Sequence, residues 1–115
     1  MSFLAMRRNG LIEYPDGTKH WYLNGKFHRL DGPAIEYPNG TKEWYQNGKE
    51  HRTDGPAVEH SNGSKGWYQN GKLHRLDGPA VEWSDGRKQW FIDDVEYTED
   101  EFVLRAFLLR GMNDA

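Results

Sequence analysis

The sequence predicts a mainly β protein: an elongated single-layer antiparallel β meander of 23-residue repeats with a C-terminal capping α-helix. Three observations carry this. Trp21, Trp44, Trp67 and Trp90 stand 23 residues apart, within a recurring W-Y-x-N-G-K-x-H-R-x-D-G-P-A-[IV]-E-x-x-[ND]-G-x-K. Asn-Gly and Asp-Gly dipeptides recur between short alternating runs, the strongest local hairpin signal. Hydrophobic residues are only 36% of the 115, aromatics are 14% and glycines number 13. That is too little aliphatic surface for a conventional two-layer globule, and rich in turns.

One repeat domain spans 1–115. A segment 1–10 precedes a half repeat at 11–20, full repeats at 21–43, 44–66 and 67–89, a half repeat at 90–97 and a helix at 98–111. Ile12, Glu13, Tyr14, Pro15, Asp16 and Gly17 copy the run from Ile35 to Gly40. Trp90-Phe91-Ile92-Asp93-Asp94 starts another copy, with Asp94 where Gly25, Gly48 and Gly71 stood. Strands are expected near 11–14, 18–23, 34–37, 41–46, 57–60, 65–69, 80–83 and 87–92. Each Asp-Gly-Pro interrupts pairing, because proline has no amide hydrogen for a ladder.

Two-residue loops at Asn24-Gly25, Asn47-Gly48 and Asn70-Gly71 set Trp21 opposite His28, Trp44 opposite His51 and Trp67 opposite His74. Two-residue loops at Asp16-Gly17, Asn39-Gly40, Asn62-Gly63 and Asp85-Gly86 would set Ile12, Ile35, Val58 and Val81 opposite Trp21, Trp44, Trp67 and Trp90. One face then carries β-branched residue, Trp and His together. The wetter face carries Tyr22, Tyr45 and Tyr68 with Glu36, Glu59 and Glu82. Two main strands per unit advance the sheet by about 10 Å, for a length of roughly 40 Å or more.

The tail reads as a helix. Thr98 and Glu101 form a capping box. Glu99 and Asp100 suit the first turn, Arg110 the last turn, and Gly111 a C-terminal stop. Its apolar residues (Phe102, Val103, Leu104, Ala106, Phe107, Leu108 and Leu109) exceed one stripe, so burial of most of its surface is expected.

Several function classes recede. Net charge is −3, without the basic excess of duplex binders. Residues 1–88 hold 13 Lys and Arg against 11 Asp and Glu, whereas 89–115 hold 2 against 7, a net of −5. The Lys rows are matched by acids within the same units, so local ion pairs on a solvated face are expected. No apolar run approaches the roughly 20 residues of a membrane span, and Met1–Met6 is too short for a signal peptide. With zero cysteines there is no disulfide framework, which fits a cytoplasmic location. The blocks His28-Arg29-x-Asp31, His51-Arg52-x-Asp54 and His74-Arg75-x-Asp77 occur three times, as an active site rarely does. Their Arg and Asp are expected to tie the Gly-Pro turn by a charge-assisted hydrogen bond. Histidines about 10 Å apart cannot share one zinc, whose ligands lie near 2 Å. No enzyme activity, metal or cofactor is expected.

The run W-Y-x-N-G-K-x-H-R-x-D-G-P-A resembles the variant MORN-type repeats of phage and large-virus proteins. Asn24-Gly25-Lys26-x-His28 and its copies match the standard unit. Arg29, Arg52 and Arg75 replace the glycine that normally follows the His, and Asp-Gly-Pro-Ala is added. The resemblance covers Leu11 to Asp94, and the ending with its Thr-Glu-x-Glu-Phe helix resembles the endings of such viral proteins. It implies a binding platform or oligomerisation rod without catalytic residues. It further implies a phage accessory protein in the host cytoplasm that binds and inhibits a host protein, such as a defence factor.

A one-layer sheet cannot bury both faces, and exposed aromatic stripes mark interaction surfaces. The candidate partner-binding residues are Trp21, Trp44, Trp67, His28, His51 and His74, together with the acidic group Asp93, Asp94, Glu99, Asp100 and Glu101. A homodimer through the Trp-rich face or the C-terminal helix is the alternative. Single-strand nucleic acid or small-ligand binding by the Trp, His and Arg rows is a further one. Membrane association is not expected.

Overall fold

The computed structural model describes residues 8–114, with side chains through 111. Most of the expected N-terminal segment 1–10 lies outside the described residues.

The chain runs as an open antiparallel meander. The first part holds β1 (Gly10–Glu13), β2 (Lys19–Leu23) and β3 (Lys26–Phe27). The next unit holds β4 (Ile35–Glu36), β5 (Lys42–Glu43), β6 (Tyr45–Gln46) and β7 (Lys49–Glu50). It is followed by β8 (Val58–Glu59), β9 (Lys65–Gly66), β10 (Tyr68–Gln69) and β11 (Lys72–Leu73). The last part holds β12 (Val81–Glu82), β13 (Lys88–Ile92), β14 (Val95–Tyr97) and the helix α1 (Glu99–Asp114). The main sheet runs β1-β2-β4-β5-β8-β9-β12-β13-β14, while β6–β7 and β10–β11 stand off it as two-stranded ribbons. The expected strand 41–46 is therefore broken at Trp44. Its N–H donates to Ala57 O on the next strand, and its carbonyl accepts from His51 of its own ribbon. The molecule measures 55 × 35 × 20 Å. Its radius of gyration of 16.6 Å exceeds the about 13 Å of a compact chain of this length.

The two turn series differ. At Asn24-Gly25 both residues have positive φ, 52° and 79°, as a two-residue type I′ loop requires, and Tyr22 pairs Phe27. His28 N donates to Trp21 O, as expected. The Asp93-Asp94 turn keeps this geometry with φ of 47° and 67°, and the Asp94 carboxylate accepts from Leu73 N at 2.7 Å.

The other series corrects the expected register. Only the glycine has positive φ there, 94° at Gly40, and the loop holds three residues closed by Tyr37 N to Thr41 O. The Asn39 carboxamide accepts from Thr41 N, as Asp16, Asn62 and Asp85 do from their own second neighbours. A two-residue loop would need the residue after Tyr14 or Tyr37 as closing donor, and there Pro15 and Pro38 have no N–H to give. At the equivalent Ser61 and Ser84 the N–H is given instead to Thr41 Oγ1 and Ser64 Oγ of the preceding unit. Ile35 thus pairs Glu43, Val58 pairs Gly66 and Val81 pairs Gln89. Ile12 pairs His20, while Leu11 pairs Trp21.

A one-residue shift moves side chains to the other face. Ile35, Val58 and Val81 lie with the tyrosines, not with the tryptophans. Glu36, Glu59 and Glu82 lie on the Trp face. They alternate there with lysines in one cross-strand row: Glu13–Lys19–Glu36–Lys42–Glu59–Lys65–Glu82–Lys88. Opposite charges set directly across strands favour this pairing.

Apolar burial is sparse. Ala34, Ala57 and Ala80, which follow the Gly-Pro turns, are 0% exposed, and Ile35 and Val58 are buried beside them. At the C-terminal end Ile92, Phe102 and Ala106 form a core with Leu76, Trp90 and Tyr97 against it. The capping box forms: Thr98 Oγ1 accepts from Glu101 N, and Glu101 Oε1 accepts from Thr98 N. Two helix expectations are corrected. The helix runs through Gly111 to Asp114, and Arg110 donates to Leu76 O at 3.0 Å rather than sitting in the last turn.

A methyl group on Gly111 meets nothing within 4 Å, whereas one on Gly55 would lie 2.9 Å from Arg52 Cζ. Gly111→Ala should raise stability by about 1 kcal/mol, and Gly55→Ala should lower it by about 1–3 kcal/mol. Urea unfolding followed by Trp fluorescence measures both. Equal midpoints for the two variants would contradict the close approach at Gly55.

Candidate functional site

The sequence-predicted residues serve first to build the repeat. Arg29, Arg52 and Arg75 each lie with Cζ 3.9 Å from the ring centroid of Trp21, Trp44 and Trp67. The other side of each guanidinium presses on Gly32, Gly55 or Gly78, where an added Cβ would come within 2.8–2.9 Å. In the plane, Arg52 Nε donates to Asp54 at 2.9 Å, and Nη1 donates to Pro56 O at 3.0 Å and Glu59 at 2.9 Å. Arg29 and Arg75 repeat the pattern on Asp31, Pro33 and Glu36, and on Asp77, Pro79 and Glu82. The expected Arg–Asp tie of the turn is present, and it also covers the Trp rings. Trp21, Trp44 and Trp67 are half-buried and do not form a free aromatic stripe.

The histidines join units. His28 Nδ1 accepts from Asn47 N, His51 Nδ1 from Asn70 N, and His74 Nδ1 from Asp93 N, at 3.0–3.1 Å. For His28 and His51 an accepting Nδ1 places the proton of a neutral imidazole on Nε2, whereas His74 Nδ1 also lies 3.2 Å from the Asp93 carboxylate. Asp93 and Asp94 form the last ribbon turn. Glu99 and Asp100 are exposed in the first helical turn, and Glu101 is held in the cap.

Between successive Arg-x-Asp-Gly turns the Trp face opens into clefts. The first, of about 490 Å³, has Arg29, Leu30 and Asp31 on one wall, and Trp44, Gln46 and His51 across from them. The second, of about 570 Å³, repeats it with Arg52, Thr53 and Asp54 facing Trp67, Gln69 and His74. The third equivalent position is filled. There Ile92 stands for Gln69 and Tyr97 for His74, and Phe102 and Ala106 of α1 pack onto them with Leu76.

The helix accounts for a further correction. Phe102 and Ala106 are 5% and 1% exposed, but Val103, Leu104, Phe107 and Leu108 are 54–66% exposed. Phe102 and Ala106, four residues apart, face the core, and Leu109 on the same side of the helix is 36% exposed. The other four turn away, so the helix buries one stripe and presents a second. No helix of the described residues is long and apolar enough to cross a membrane.

The opposite face holds groups that the expected register had concealed. Tyr45 pairs across strands with Glu50, and Glu43 pairs with Ile35 and Val58. Burial, and then the Glu43 charge, push the Glu50 carboxyl above its usual range, and burial pushes the Tyr45 phenol up.

No protein-family model and no curated protein matches this sequence.

Arg52→Lys removes the planar stack and the fork, and should lower stability by about 2 kcal/mol. Hydrogen bonds from Arg52 and Arg75 hold the Asp54 and Asp77 carboxyls below the usual range. The unfolded chain then binds more protons than the native one near pH 4, so this stability is present above about pH 4 and is lost as pH falls through the native values. Urea midpoints between pH 5 and 2.5 should fall for the wild type and less steeply for Arg52→Lys with Arg75→Lys. Identical slopes would contradict the assignment. Burial, and next the Arg8 charge, hold His20 below the usual imidazole range. Its share of stability is therefore complete above about pH 6.5 and lost at lower pH. An NMR titration with His20 at or above 6.5 would contradict this.

Proposed function

We propose that this protein is a non-enzymatic, protein-binding repeat module of the MORN type. Its sheet is a stiff support and its C-terminal helix supplies the main contact surface. One observation carries the reading: the helix has two apolar stripes, and the second, Val103, Leu104, Phe107 and Leu108, lies open on the far side from its core. Exposed apolar patches of this kind mark interaction surfaces. Four large side chains within two turns match the anchors of a helix seated in a partner's groove.

The partner that fits has an apolar groove with a basic rim. Residues 89–115 carry a net charge of −5, and Glu99 and Asp100 flank the stripe at its N-terminal end. Opposite charge at the rim speeds association and rejects wrong partners. The resemblance of the repeat to those of phage and large-virus proteins supports a host protein, met in the host cytoplasm, as the partner, and blocking that protein's own contact is the mechanism proposed.

A tagged pulldown from nuclease-treated bacterial lysate tests this, with Phe107→Glu as the comparison. Phe107 is 66% exposed and lies outside the core cluster, so the variant should fold with an unchanged urea midpoint. It should lose at least ten-fold of the captured partner. Equal capture by both proteins would refute the helical surface. A wild-type mass of twice the chain, reverting to monomer in Phe107→Glu, would assign the stripe to self-association instead.

A further inference from the structure

The two open clefts on the Trp face stand apart from the helical stripe and belong to no function yet described. We propose that they form one continuous two-site groove for a basic, proline-rich peptide in the polyproline II conformation, with one helical turn read per repeat.

Spacing comes first. The clefts are one unit apart, two strands or about 10 Å. A polyproline II helix has three residues per turn and about 9 Å per turn, so every third residue returns to the same face at this pitch. An extended strand also covers about 10 Å in three residues, but its side chains alternate faces and would turn away at the second cleft. The match to cleft spacing and facing thus favours the threefold helix.

Hydrogen bonding comes second. Each cleft offers donors. The imidazole of His51 accepts at Nδ1 and so carries its N–H at Nε2, and His74 lines the equivalent wall of the second cleft. Gln46 and Gln69 line the same walls. Among the described residues the Trp83 indole N–H has a protein acceptor, Gln89, and those of Trp44 and Trp67 have none. A polyproline II backbone carries free carbonyls and needs no donor in return, whereas the carbonyls of an α-helix are already bonded. Trp-lined grooves that donate to such carbonyls are a recurring recognition mode.

Charge is the third. Asp31, Asp54 and Asp77 stand at the rims with side chains 87%, 83% and 76% exposed, one per repeat. Each is already bonded through Oδ1 to the Arg of its own turn, and that Arg is shared with Glu36, Glu59 or Glu82, so two carboxylates stand against one guanidinium. A Lys or Arg at every third peptide position meets the remaining negative charge in turn.

The filled third cleft supplies the control within the molecule. Where the chain seats its own apolar side chains, Gln has become Ile92 and His has become Tyr97. The two clefts that retain Gln and His are the two left open.

The test is fluorescence anisotropy with a labelled (Pro-Pro-Lys)4 peptide. A (Gly-Ser-Lys)4 peptide of equal charge and a labelled dT12 oligonucleotide are the comparisons. The proline peptide should bind at least ten-fold more tightly than either. Gln46→Ile with Gln69→Ile copies the residue of the filled cleft, and should weaken binding at least ten-fold while leaving the urea midpoint in place. Phe107→Glu should bind the peptide as the wild type does, so loss of the helical surface and loss of the groove are separable. Equal affinity for the Gly-Ser-Lys peptide, preference for the oligonucleotide, or undiminished binding by the double Gln variant would each overturn the proposal.

Discussion

A guanidinium pressed between an indole ring and a glycine holds this protein together. In each unit Arg29, Arg52 or Arg75 has its two faces covered by Trp and Gly, and its edge engaged by Asp, a proline carbonyl and Glu. The group replaces the aliphatic core that a single-layer sheet cannot build. A lysine could supply the charge but neither the flat surface nor the fork. The glycine is required because any Cβ would occupy the guanidinium's place. The alanine after the proline is fully buried for the same reason of space, where the turn returns against the next strand.

Order passes from unit to unit through backbone groups. The ribbon of one unit rests on that of the next through Gly48 N to Phe27 O and Gly71 N to Glu50 O, with a histidine beside each contact. Such a structure is stabilised by nearest neighbours. The last ribbon obeys the same geometry with Asp94 in place of glycine, since its carboxylate bonds the preceding ribbon. The helix then lies where a fourth Arg–Asp turn would have been.

Much of this was legible in the sequence. The 23-residue spacing of tryptophan yields the meander, the Asn-Gly pairs of the ribbons yield true two-residue turns, and Thr98 with Glu101 yields the start of the helix. The tie between Arg and Asp could be read from their spacing around Gly-Pro. The second turn series carries its signal at two of four positions, since Pro15 and Pro38 cannot donate the closing hydrogen bond of a two-residue loop. At Ser61 and Ser84 the N–H goes to a hydroxyl of the preceding unit, which spacing alone does not reveal. One residue of slip then exchanged the faces of the β-branched side chains and of Glu36, Glu59 and Glu82. The stacking of Arg on Trp depends on which face each occupies, so it followed the register out of view. Burial of most of the helix surface was expected because composition alone does not say how much sheet remains to cover it. One filled cleft accommodates Phe102 and Ala106 and little more.

The replacement of Gln and His by Ile92 and Tyr97 confines the helix to a single seat. Each end piece carries only half of the repeat, and each middle unit meets only its neighbours. An additional copy inserted ahead of Trp90 would therefore leave both termini chemically unchanged. It would lengthen the body by about 10 Å and add one cleft, making the molecule a ruler whose graduations can be multiplied without redesigning its ends.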